Sequence, residues 1–182
     1  MSGKIWLIAE AENDYRIVQA ILKARKVAVK VIWRSPSGKT PGLSRLAEEL
    51  SDLITEINKF RSGNDCIVVL HDDDIHREPR RDTYNQIRDV CRQHGVYEVI
   101  AKDEIEAWLL SDSGICKWLG ETVKTWNGEP HPSDRLRSLM EGRRQRYPRD
   151  LHKLLQHLSA DGINQSLQDA LKHLDNAPCV RA

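Results

Sequence analysis

The chain has 182 residues, of which 40% are hydrophobic and 30% charged, with 28 Lys and Arg against 27 Asp and Glu. That length fits one domain, or one domain with a small appendage, and the composition fits a globular protein. A net charge of +1 excludes a globally basic nucleic-acid binder, so any basic surface has to be local.

In chain order, residues 4–9 (KIWLIA) are a short apolar run rich in strand formers. Charge follows at Glu10, too soon for the apolar core of a signal peptide, and no run later in the chain approaches a membrane span. Residues 12–26 place Ile17, Val18, Ile21 and Leu22 at helical spacing. The β-branched stretch 27–33 (VAVKVIW) predicts a second strand, and 35–42 (SPSGKTPG) a loop. Its GKT lacks the frame of a phosphate-binding P-loop.

A helix is predicted over 43–60, where Leu46, Leu50, Leu53, Ile54 and Ile57 form one stripe. Residues 66–70 (CIVVL) read as a central parallel strand, apolar on both faces. A loop over 72–80, a helix over 81–94, a strand over 96–101 and a short helix over 103–112 follow. Three tail helices are predicted over 134–146, 149–158 and 163–174. Alternating strands and helices predict an α/β fold, with a mostly parallel four-stranded sheet flanked by helices over 1–112. Residues 113–182 form a helical extension packed on that domain. The four isolated cysteines read as buried, reduced thiols in a cytoplasmic protein, and a Cys-based zinc site is not expected.

Acidic residues fall where the strands end. Glu10 follows the first strand, His71-Asp72-Asp73-Asp74 the third, and Glu104 and Glu106 the fourth. Ligands of open parallel sheets sit at these carboxyl ends. If the first and third strands are neighbours, Glu10 meets the Asp cluster, and crowded carboxylates need a cation to remain ionised. Oxygen ligands suit Mg²⁺ or Mn²⁺. Asp72 and Asp74, two apart, can point the same way, with Asp73 directed elsewhere. The alternatives are plain: such acids also cap helices or face water. Asp103 with Glu106 forms a capping-box pattern. His71 and His76 flank the triplet and rank below the carboxylates. Residues 134–153 hold seven cations and three acids, a local +4. That stretch is either a path for a nucleic-acid backbone or a solvated face laced with ion pairs.

The order of these motifs resembles the Toprim superfamily, above all small bacterial Toprim-like proteins of unassigned function. Glu10 and Asp14 match the acidic positions of an E-G-x-T-E-like segment, with Ala11 where Gly is usual. Asp72-Asp73-Asp74 matches the D-x-D after a later strand. Glu104-Ile105-Glu106-Ala107-Trp108-Leu109-Leu110-Ser111-Asp112 is similar to the E-x-E-x-W-L-L-x-D-like segment. The resemblance implies a Toprim/Rossmann-like fold and a Mg²⁺ or Mn²⁺ site handling phosphodiesters of DNA or RNA. Glu10, Asp72 and Asp74 would be ligands and catalytic groups, and Asp14, Glu104 and Glu106 would support them or hold a second metal. Arg77, Arg81 and Lys102 would bind phosphate. It further implies hydrolysis, a setting such as phage defence, and a partner ATPase or other subunit. The alternatives are a non-catalytic module binding nucleic acid, nucleotide or protein, and a toxin or regulator that needs a partner. Ala11 favours the non-catalytic one, because its methyl group restricts approach of a phosphate to the backbone.

Overall fold

The structure is a computed structural model and describes residues 3–38, 42–73, 81–126 and 131–181. Among the described residues four strands are formed: β1 (Lys4–Ala9), β2 (Lys30–Arg34), β3 (Cys66–Asp73) and β4 (Tyr97–Lys102). They lie in the order β2-β1-β3-β4, and every pairing is parallel. Between them run α1 (Glu12–Ala24), α2 (Leu43–Asn58) and α3 (Arg81–His94). The chain continues as α4 (Glu106–Leu110), α5 (Ser113–Leu119), α6 (Pro132–Gly142), α7 (Leu151–Leu155), α8 (Gln165–Asp175) and α9 (Pro178–Arg181). This is an α/β fold of the doubly wound class.

Side chains alternate between the two faces of a strand, so a sheet covered on both sides builds two cores. Ile5, Leu7, Ala9, Val68 and Leu70 face α1, through Ile17, Val18, Ile21 and Leu22. Leu136, Met140, Leu151, Leu167 and Leu171 of the tail helices belong to that same core. Trp6, Ile8, Ile67 and Val69 face the other way, onto Leu46, Leu50, Ile54 and Ile57 of α2 and Ile87 of α3. Trp108 is buried, and its Nε1–H donates to Ser166 Oγ at 2.8 Å, tying α4 to α8.

Several predicted boundaries move. The second strand begins at Lys30 rather than at 27. Val27 N donates to Leu22 O, and Lys26 turns the chain with φ 59°, so residues 26–29 close α1 and only then enter the sheet. The third strand runs on to Asp73, because β4 pairs Asp72 with Ala101 and Asp73 with Lys102. The helix predicted over 103–112 starts only at Glu106, since Asp103 has φ 68°. Pro132 opens α6 two residues early, as Pro at a first helical position favours. The turns α5 and α9 were not predicted.

The cysteine expectation is corrected for two residues. Cys66 and Cys179 form a disulfide, with Cα atoms 5.6 Å apart, that ties α9 to the start of β3. Cys91 and Cys116 are free and buried, and burial pushes their thiols up to about 12 and about 11. Among the described residues, no helix is long and apolar enough to cross a membrane.

Candidate active site

In a sheet of order β2-β1-β3-β4, successive connections leave β1 in opposite directions, so a crevice opens beyond the carboxyl ends of β1 and β3. Glu10 stands at the end of β1 and Asp72 near the end of β3. Asp14 comes from the first turn of α1. Its Oδ2 accepts from Ala11 N at 3.0 Å, closing one half of a capping box that Ala11, lacking a side-chain acceptor, cannot return. Asp72 Oδ1 accepts from Ile105 N at 3.0 Å, which draws the chain after β4 over the crevice. Glu106 follows at the start of α4 and accepts from Tyr147 O–H. Glu104 is buried, and its Oε2 accepts from Ser133 N at 2.6 Å.

Electrostatics couples Asp72 to the other four acids. Burial raises Asp72 well above the usual carboxylate range, and Asp14, Glu106, Glu10 and Glu104 each add repulsion. Asp14 is pushed up to about 7, first by burial and then by Glu106, with the Ala11 amide opposing and Glu10 adding. Glu106 is raised by burial against the Tyr147 hydrogen bond, with Glu104 raising it further and Arg137 opposing. Burial and then Glu106 push the Tyr147 hydroxyl far above its ordinary value, so it stays a donor. Asp14, Asp72, Glu104 and Glu106 each commit one oxygen to a protein donor. The second oxygen of each is a hard donor atom of the kind Mg²⁺ and Mn²⁺ prefer. Among the described residues, no three His, Cys, Asp or Glu side chains already form a group that could hold a metal ion.

Of the predicted site residues, Glu10, Asp14, Glu104 and Glu106 all lie within electrostatic reach of Asp72. Asp74 and Arg77 lie outside the described residues, as does His76. Arg81 opens α3 and is exposed, and Lys102 ends β4 and is exposed. Arg137, one of the cations of the basic stretch 134–153, opposes the rise at Glu106. The capping-box expectation is corrected. Ile105 precedes α4 with no side-chain cap; Asp112 instead caps α5, accepting from Ile115 N at 3.0 Å, and Glu104 accepts from Ser133 N in the first turn of α6. His71 is buried on the opposite face. Its Nε2 lies 3.1 Å from Glu98 Oε1 and its ring stacks on Tyr84, which makes it a supporting residue beneath the strand. In the basic stretch 134–153, Arg135 pairs with Glu121, Arg137 with Asp134, and Arg149 and Lys153 with Asp150. That favours the ion-paired reading. Sequence reasoning missed Tyr147 and Ser133. No local pattern marks either, because only tertiary packing brings the tail to the crevice.

No family model matches the chain, and neither any curated protein nor any solved structure matches it.

Proposed function

We propose that the chain is a Toprim-like phosphodiester hydrolase that depends on a divalent metal and acts on DNA or RNA. The observation that carries this reading is the convergence of Glu10, Asp14, Asp72, Glu104 and Glu106 at the crevice beyond β1 and β3. Mutual repulsion there destabilises the fold, and a divalent cation is the simplest relief. In this reading Asp72, Asp74 and Glu10 hold Mg²⁺ or Mn²⁺, and Asp14, Glu104 and Glu106 support them. When bound, the metal would neutralise phosphate charge and lower the pKa of an attacking water. Glu10 would be the general base or a ligand, and Asp14, pushed up to about 7 in the metal-free protein, would support the site. Tyr147 and Ser133 hold Glu106 and Glu104 in place. Arg77, Arg81 and Lys102 remain the proposed phosphate contacts.

A cytoplasmic setting, phage defence and a partner ATPase or other subunit go with this reading. The Cys66–Cys179 bond is an observation against the cytoplasm, where thiols are kept reduced. Two observations favour the alternative of a non-catalytic binding module. Ala11 stands where a phosphate would approach the backbone, and no ready-made metal cage exists among the described residues.

Melting with and without Mg²⁺ or Mn²⁺ tests the metal, and incubation with labelled DNA and RNA tests the chemistry. A metal at ten times its Kd stabilises by about 1.4 kcal/mol, or roughly 3–5 °C for a chain of this size. Asp72→Asn should melt higher than wild type without metal, by about 1–2 kcal/mol, and lose the metal response and cleavage. No metal response in wild type sinks the metal site; a metal response without cleavage leaves the binding module.

A further inference from the structure

A second feature of α1 has not entered the site. From Arg16 onward α1 lines an open cleft of about 1200 Å³, together with residues 26–31, which lead into the edge strand β2, and with His152, Leu155 and Gln156 at α7. Among the described residues lining it, four are Lys or Arg and none is Asp or Glu. The chain as a whole carries the two signs almost equally, 28 against 27. Arg16, Lys23, Lys26 and Lys30 are all exposed, and His152 faces them from α7. Arg16 is held by Glu12 at 2.6 Å. Between the cations lie apolar patches: Ala20, Val27 and Val29 on one side, Leu155 on the other.

Cations in a last helical turn ordinarily complement the helix dipole. That explains Lys23. It does not explain Lys26, turned out at φ 59° past the helix, or Lys30 in the edge strand. It also does not explain the absence of any acid among the described residues of the lining. A smaller depression on α8 shows the ordinary arrangement, in which Arg25 and Lys172 are balanced by Asp169 and Asp175. Along α1 the charge is segregated instead. Glu12 and Asp14 stand at the crevice end, and Lys23 and Lys26 at the far end.

We propose that this cleft binds the backbone of a single-stranded nucleic acid, with Lys23, Lys26 and Lys30 on successive phosphates. A strand offers phosphates to the cations and unstacked base faces to the apolar patches, whereas a duplex presents phosphates alone. The inference rests on the proposed function for its substrate class. From Arg16 to Lys23 the helix rises roughly 10 Å, so the cleft leads along α1 toward the acidic crevice.

Fluorescence anisotropy with a labelled oligo-dT strand of about 20 nucleotides, in EDTA, tests it without any metal or cleavage. The triple variant Lys23→Glu/Lys26→Glu/Lys30→Glu should bind at least tenfold more weakly and reduce the salt slope by about 2. The three side chains are exposed, so melting should be nearly unchanged; the milder Lys→Gln set should show the same trend should the charge reversal fail to fold. Arg143→Glu/Arg144→Glu, in the turn after α6, should have little effect. Overturning results are no binding by wild type, unchanged affinity in both cleft variants, or a duplex of the same length binding more tightly than the strand. If the strand binds in the cleft but Mg²⁺ elicits no cleavage, the hydrolase reading falls and the cleft stands. If cleavage persists with unchanged KM in the cleft variants, the cleft falls alone.

Discussion

At the amino end of the sheet, Asp65 accepts from Lys4 N at 2.9 Å, Trp6 Nε1–H at 3.1 Å, Ser62 N at 3.0 Å and Ser62 Oγ–H at 2.9 Å. At the carboxyl end, Asp72 accepts from Ile105 N and faces four other acids. Asp65 is buried and Asp72 half-buried, and burial by itself raises a carboxylate. At Asp65 four donors overcome that burial and hold the group at about 2. At Asp72 the neighbours add to it. A fold that can build the first environment and also carries the second has spent stability at the crevice, and such concentrations of unrelieved charge mark working sites more often than structural ones.

The largest effect expected from this contrast is at Asp65. Asp65→Ala strands the donors that join β1, β3 and the turn before β3, and should cost about 2–4 kcal/mol in urea unfolding. Its folded pKa is depressed, so its contribution is complete above the ordinary carboxylate value of 3.8 and is lost as pH falls through about 2. The variant should therefore lose less stability than wild type in that acid window. An equal loss would mean that Asp65 is not the anchor the geometry describes.

The amino end was more legible than the crevice, and for a physical reason. Residues 4–9 and 81–94 declare themselves by local signals, β-branching and helical spacing, and both elements form where predicted. The acidic run Asp72–Asp73 carries no such signal. It is a strand only because β4 pairs with it, so β3 was read three residues short. Glu10, Asp72, Glu104 and Glu106 could be gathered from strand ends, since the topology of a parallel sheet dictates where those ends lie, whereas Asp14, in the first turn of α1, entered only through the family resemblance. Tyr147 could not, because it lies in a turn of the tail, 41 residues after Glu106, and only the shared core brings the two together. The Cys66–Cys179 bond was unreadable for the same reason, joining residues 113 apart.

A smaller effect, of opposite sign, belongs to Asp14. Its folded pKa lies at about 7, above the unfolded 3.8. Between those values the folded state holds a proton that the unfolded state has released, so metal-free protein loses stability as pH rises from about 4 to 7. Asp14→Asn keeps an oxygen for the Ala11 amide and removes the charge. It should flatten that part of the profile and stabilise the protein at pH 7.5 by about 1–2 kcal/mol, read from melting in EDTA. Wild type and variant showing the same slope would remove Asp14 from the cluster.

Glu104 combines both environments and gives the smallest and most discriminating effect. Like Asp65 it satisfies a backbone donor, Ser133 N at the start of α6, and like Asp72 it stands in the field of the other acids. The two roles separate by substitution. Glu104→Ala loses the cap and should cost about 1 kcal/mol. Glu104→Gln keeps an oxygen for Ser133 and removes one charge, so melting in EDTA should hold level or rise by a few tenths of a kcal/mol. If the crevice holds a divalent ion, the same variant should weaken Mg²⁺ binding measured by titration calorimetry, because a neutral amide attracts the ion less than a carboxylate does. Should Glu104→Gln destabilise as much as Glu104→Ala, the charge itself is structural, and Glu104 belongs with Asp65 rather than with Asp72.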